Sequence, residues 1–159
     1  MASLIDQEGF IKNQMKGMAT RVVGPVHPSK SYYNKDISPT KYDVKNAATL
    51  LENAGWKDTN KDGILDKNLN GKNTALKLNL LITPNELGKN LGLILQQEAK
   101  KIGIDIALET KDWSLIQKDL NARTFDMATA VSSQSPSNWD PYQSWYSANA
   151  KEGGSNRCG

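Results

Sequence analysis

Between residues 76 and 131 the spacing of the apolar residues switches back and forth between a period of about 2 and a period of about 3.6, and that switching limits the fold more than any single motif. Leu76-Lys77-Leu78-Asn79-Leu80-Leu81-Ile82 first alternates and then turns wholly apolar, as a strand entering a core does, and Thr83-Pro84-Asn85 ends it. Leu87, Leu91, Ile94, Leu95, Ala99 and Ile102 recur at helical spacing, with Gly103 as the stop before the short alternating strand Ile104-Asp105-Ile106-Ala107-Leu108. Asp112 stands where a helix cap belongs, Trp113, Ile116 and Leu120 share the next helical face, and residues 125–131 read as a third strand. Crossovers of this kind are right-handed almost without exception, so the expectation is one α/β sheet, a β-α-β-α-β core with flanking helices against it.

At 159 residues the chain can bury one ordinary core, which predicts a single α/β domain over residues 1–159. A net charge of +3, with lysines interspersed among Asp and Glu, gives no support to nucleic-acid or anionic-membrane binding. No apolar run reaches the ~20 residues that a membrane-spanning helix needs. Met1-Ala2-Ser3-Leu4-Ile5-Asp6 has neither a basic start nor an apolar centre, so no signal peptide is expected in this segment. The single Cys158 cannot close an internal disulfide and reads as incidental, although an exposed thiol there could join two chains.

Residues 4 to 18 carry Leu4, Ile5, Phe10, Ile11, Met15 and Met18 at roughly helical spacing, and residues 17–28 break it. Residues 29–40 suggest an irregular surface segment. A second helix follows. Asp43 caps it, Val44, Ala47, Ala48, Leu51 and Ala54 line one face, and Gly55 supplies the left-handed stop before Trp56. The next residues form an oxygen-rich loop in which Asp58, Asn60, Asp62, the Ile64 carbonyl and Asp66 fall at calcium-loop positions, with Gly63 at the sharp turn. The twelfth position is Leu69 where a bidentate Glu belongs, and Lys61 and Lys67 lie close by. Two readings stand: a weak calcium site, or a turn in which the Asp and Asn side chains bond the loop's own amides.

A helix, Ala-Gly-Trp and then Asp-x-Asn-x-Asp-Gly-x-x-Asp is similar to a segment of the extracellular solute-binding proteins of family 5, the dipeptide and oligopeptide receptors of bacterial ABC importers. Gly24-Pro25-Val26-His27-Pro28 resembles the family's Gly-Pro-Val-Pro-Pro turn. Gln96 to Asp105 resembles its helix-to-strand passage, and Asp112-Trp113, residues 121–126, Trp139-Asp140-Pro141-Tyr142 and Gly153-Gly154-Ser155-Asn156 follow in family order. The resemblance implies one lobe of a periplasmic-binding-protein-like, two-lobe fold, with this chain an excised fragment covering most of that lobe. It also implies a non-catalytic protein that closes two lobes on a peptide or other small polar solute and presents it to an ABC importer permease. The full-length protein would be periplasmic, or extracellular and membrane-anchored. The isolated lobe would be a monomer or weak dimer and would hold ligand poorly.

The resemblance places ligand contacts at the end of the third strand and in the loop after it. There the oligopeptide receptors carry a pocket Arg, a Trp and the aspartate that takes a peptide's α-ammonium; the corresponding residues here are Thr129, Ser132 and Ser135. A serine cannot supply the charge that a desolvated ammonium requires. Either Asp140 takes that role, or the ligand is not a peptide with a free amino end. The expected ligand-binding residues are Ser132, Gln134, Ser135, Asn138, Trp139, Asp140, Tyr142 and Asn156, polar groups and flat rings suited to peptides or sugars. The competing reading of this stretch is a surface loop leading to a helix with Asp140 as its cap, Pro141 at its first position and Trp145 in the core. Trp56 and Trp113 read as packing residues, and His27 has no partner at metal-ligand spacing. No nucleophile elbow, phosphate-cradling loop or paired Cys or His is present, so the chain reads as no enzyme. A rival from another class is a small calcium-stabilised interaction module built on the Asp58 loop.

Overall fold

The computed structural model describes residues 1–131, 140–151 and 153–156. In chain order they form α1 (Gln7–Gln14), α2 (Val44–Asn53), β1 (Asp66–Leu69), β2 (Lys72–Ala75), β3 (Lys77–Ile82), α3 (Glu86–Lys100), β4 (Asp105–Thr110), α4 (Trp113–Ala122), β5 (Met127–Ala128) and α5 (Tyr142–Trp145), with 3-10 turns at Ala2–Leu4 and Ser147–Asn149. The chain divides between two compact units, one of Met1–Lys77 and Leu93–Asp105, the other of Leu78–Gly92 and Ile106–Gly159, with α3 continuing from the second into the first and β3 and β4 each beginning on the last residue of a first-unit segment.

In the first unit the helix ends are set by local chemistry. Asp6 accepts from the Gly9 amide at 2.9 Å and Asp43 from the Asn46 amide at 2.8 Å, each satisfying a donor that its helix leaves open. At the end of α2, Gly55 takes φ +87°. The Trp56 amide then reaches the Leu51 carbonyl and the Gly55 amide the Glu52 carbonyl, the double bond of a Schellman stop. Ala47 is buried and Val44, Ala48 and Leu51 are half-buried, but Ala54 at the end of the anticipated face is exposed. The single helix expected over residues 4–18 is instead a 3-10 turn and the short α1. Arg21 ties the irregular stretch beyond it, donating to Gln7 at 2.7 Å and to the Thr40 carbonyl.

The hairpin β1–β2 pairs Asp66 with Ala75 through Leu69 with Lys72. Asn70 and Gly71, both at positive φ, make its two-residue turn. Gly103 is required where it stands: it sits at φ +78°, and a Cβ there would come 2.8 Å from Leu65 Cγ, while its carbonyl accepts from the Leu65 amide. Nearby, the Tyr42 hydroxyl and the Lys101 ammonium both donate to the Glu98 carboxylate, at 2.8 and 2.6 Å. The Lys101 bond, then the Tyr42 bond, holds Glu98 below the usual carboxylate range, and the same contact raises Tyr42.

In the second unit the sheet order is β4-β3-β5. β3 pairs with β5 in parallel, Leu80 opposite Met127 and Leu81 opposite Ala128. The Asp105 amide bonds to Leu76, just before β3, within the first unit, and the Lys111 amide, just after β4, bonds to Ile82 in the second; both chains advance in the same direction between these bonds, which is also the parallel sense. Successive residues of a strand face opposite sides, yet Leu80, Leu81 and Ile82 are all buried, so both faces of β3 are covered. Leu81 packs with Ile116 and Leu120 of α4, joined by Phe125 and Ala128. On the other face, a Cβ on Gly92 of α3 would lie 3.2 Å from Ile82 Cγ2 and 3.3 Å from Leu108, so the helix backbone lies close upon the sheet. The β-α-β-α-β order is as anticipated, but the third strand is only Met127–Ala128. Asp112 precedes α4 with no side-chain cap bond, and the left-handed stop is Arg123, at φ +57°. Trp145, anticipated in the core, is exposed.

Two measurements check this account. Ile116 has no exposed surface, so Ile116→Ala removes buried contacts and leaves a cavity, lowering the unfolding free energy by about 2–5 kcal/mol in a urea titration; a loss below about 1 kcal/mol would contradict the packing. Asp66, 3% exposed, accepts from the Thr59 hydroxyl at 2.7 Å and the Thr59 amide at 3.0 Å, and these bonds lower its pKa. A carboxylate lowered by folding stabilises the protein above its unfolded pKa, roughly 4, and that contribution is lost as the pH falls through the folded value. Asp66→Asn removes the titration, so stability between about pH 4 and pH 2 should fall less steeply in the variant than in the parent. Parallel acid limbs would contradict this role for Asp66.

Candidate functional site

Parallel strands end together, and the loops that leave their carboxyl ends frame a crevice. In the second unit a cavity of about 380 Å³ lies at that edge. Thr83 and Asn85 follow β3, Trp113 opens the helix after β4, and Thr129, Ala130 and Val131 follow β5. The first two turns of α3 complete it with Leu87, Gly88 and Leu91. The size is that of small-ligand sites.

The polar side chains of this lining are tied to the protein. Asn85 accepts from the Gly88 amide at 2.7 Å, serving the amino end of α3, and its own amide donates to the Thr83 hydroxyl at 2.6 Å. Thr129 is set by the ladder: its amide and its hydroxyl both reach the Leu81 carbonyl, at 2.9 and 3.4 Å. Among the described residues, none that lines the cavity is ionisable. Elsewhere in this unit Lys111 lies 2.8 Å from Asp119 and 3.0 Å from Glu109, and the two carboxylates, Asp119 first, raise the lysine pKa.

Of the residues anticipated as ligand contacts, Ser132, Gln134, Ser135, Asn138 and Trp139 lie outside the described residues, as does Cys158. Asp140 accepts from the Tyr142 amide at 2.9 Å, at the start of the single-turn α5. Tyr142 is exposed and stacks on Tyr146, ring centres 4.7 Å apart and 17° from parallel. Asn156 is 4% exposed, and its side-chain amide donates to the Tyr146 carbonyl at 3.2 Å. The Arg123 guanidinium donates to the Asn156 carbonyl, so this segment is bound to the end of α4. None of Asp140, Tyr142 and Asn156 lines the cavity. Trp113, which reads from sequence as a packing residue, is part of its wall and 38% exposed. The clue that could have pointed there is positional: Trp113 begins the segment just beyond a parallel strand, as Thr83 does.

In the Asp58 loop the side-chain oxygens accept from the loop's own amides. Asp58 accepts from the Asp62 and Gly63 amides, Asn60 from the Asp62 amide, and Asp62 from the Ile64 amide at 2.8 Å. Asp66 is taken up by Thr59. Among the described residues no group of three or more His, Cys, Asp or Glu side chains is placed to hold a metal ion. Of the five anticipated ligands, Asp58, Asn60 and Asp62 accept from the loop's own amides in Asx-type fashion, Asp66 accepts from Thr59, and Ile64 takes part here through its amide.

Comparison with known proteins supplies what the geometry alone does not. Over 156 residues, 96% of this chain, it is 31% identical to the oligopeptide-binding protein AppA of Bacillus subtilis, of which it covers 28%. The structure of AppA in complex with a nonapeptide superposes with a TM-score of 0.84, covering 98% of this chain and 31% of that one at 31% identity. Over 112 residues, 70% of this chain, it is 30% identical to the nickel-binding periplasmic protein of Escherichia coli, covering 21% of it. DppA of Helicobacter pylori in complex with the peptide STSA matches at 26% identity with a TM-score of 0.72, over 98% of this chain and 28% of that one. The chain thus spans less than a third of the length of these relatives. These likenesses give no support to a calcium-stabilised interaction module. The model of the bacterial extracellular solute-binding proteins, family 5 Middle, matches residues 1–156. The α/β chain belongs to that family of non-catalytic binding proteins.

Proposed function

We propose that this chain contributes part of the ligand cleft of an importer-associated solute receptor, acting on peptides or another small solute outside the cytoplasmic membrane. The observation that carries the reading is the cavity at the carboxyl edge of the parallel sheet, in a chain of this family. Peptides are favoured as cargo because the relative matched over 96% of the chain is an oligopeptide-binding protein. The chain's partners in the full-length protein are then a second lobe, which closes over the ligand and excludes water, and an importer permease that receives it. Residues 1–159 act as one lobe, alone a monomer or weak dimer that holds ligand poorly.

Within the cleft we assign Trp113 and the strand end Thr129–Val131 to the ligand-facing wall. To its margin we assign the exposed ring of Tyr142 and the Asp140 carboxylate, together with Ser132, Gln134, Ser135, Asn138 and Trp139, which stand between Val131 and Asp140 in sequence. Asn156, buried and bonded to Tyr146, supports this aromatic segment from behind.

With a nonapeptide as the calorimetric probe, the size that AppA holds, Trp113→Ala in the full-length protein should weaken binding at least tenfold, about 1.4 kcal/mol. Asp140→Ala should do the same if its carboxylate meets the ligand as well as the Tyr142 amide. Unchanged affinity in both variants would place the pocket elsewhere and leave Asp140 as a turn residue only.

A further inference from the structure

Of the features on this molecule, the lining of the cavity reaches furthest beyond the family reading, because its composition limits what can enter. Leu87 and Leu91 are one helical turn apart on α3 and present side chains to the same space as Trp113 and Val131. Val131 is 84% exposed, and Leu87 and Trp113 are also exposed. Large apolar groups left in water around one concavity are the mark of a surface that is covered in use.

The polar side chains of the wall are uncharged and bonded within the protein. Asn85 has both ends of its amide engaged, by Gly88 and Thr83, and the Thr129 hydroxyl donates to Leu81. With no ionisable side chain among the described lining residues, an ammonium or carboxylate entering the cavity sheds its water and gains no counter-charge from them. An apolar group entering the same space loses nothing and covers Leu87, Trp113 and Val131.

Resting on the reading that this cavity belongs to the ligand cleft, we infer that it is a selective subsite for an uncharged, apolar group of the ligand, such as the leucine or phenylalanine side chain of a peptide. It rejects charged side chains. Selectivity resides in Leu87, Leu91, Trp113 and Val131, and Leu87 controls it most accessibly because it lies exposed on a helix surface, where a polar replacement leaves the fold intact.

The test uses the full-length receptor and an oligoalanine peptide in which each position in turn carries Leu, Phe, Lys or Glu, with affinity measured by calorimetry. At one position Leu and Phe should bind at least tenfold tighter than Lys and Glu. Leu87→Asp should bring Leu and Lys at that position to within about threefold, with its thermal transition unchanged, and Trp113→Ala should reduce the Phe preference. Peptides that bind with no position favouring apolar over charged residues overturn this inference alone, as does a preference that survives both substitutions. Absence of binding by every peptide overturns the peptide-receptor reading and this inference together.

Discussion

Everything in the second unit depends on the burial of Leu80, Leu81 and Ile82 in β3. A run of three apolar residues in a strand puts side chains on both faces, and such a strand is stable only if something covers each face. Ile116 and Leu120 of α4 cover one, and α3 covers the other by bringing Gly92 against Ile82. With β3 fixed at the centre, β4 and β5 can only pair at its two edges. Their carboxyl ends are then brought to one side.

That arrangement explains why the cavity sits where it does and why it has its particular chemistry. The polar groups at the strand ends serve the backbone first: Asn85 satisfies the opening of α3 and Thr129 extends the ladder to Leu81. What remains to face the crevice is apolar, from Leu87, Leu91, Trp113 and Val131. In the function proposed here such a division is favourable, since the polar groups are already held by the scaffold and the apolar surface is left for the ligand to cover.

The sequence made the β-α-β-α-β order legible because each element buries one face or two, and burial imposes a period. Gly55 and Gly103 were readable as stops for a related reason: positive φ admits few residues. The β1–β2 hairpin escaped, since its strands are short and largely exposed and so carry little apolar pattern; Asn70-Gly71 was the available signal. Arg123 as a left-handed stop had no signal in its residue type. The cavity wall was the least legible part. Thr83, Trp113 and Val131 are far apart in sequence and are brought to one edge only by the parallel pairing of Leu80 with Met127 and of β3 with β4. Tyr142 and Asp140 drew the reading instead, because an aromatic, polar stretch is visible without knowing the register.

The central claim is that the carboxyl edge of this sheet is ligand-facing in the full-length protein. Amide hydrogen exchange with and without saturating nonapeptide tests it most directly, since each segment reports separately. Protection should increase in residues 83–91 and 129–131 and at the start of α4, and remain unchanged in α1 and the β1–β2 hairpin. Ligand-induced protection that bypasses all three cleft segments while binding is saturated would contradict the account.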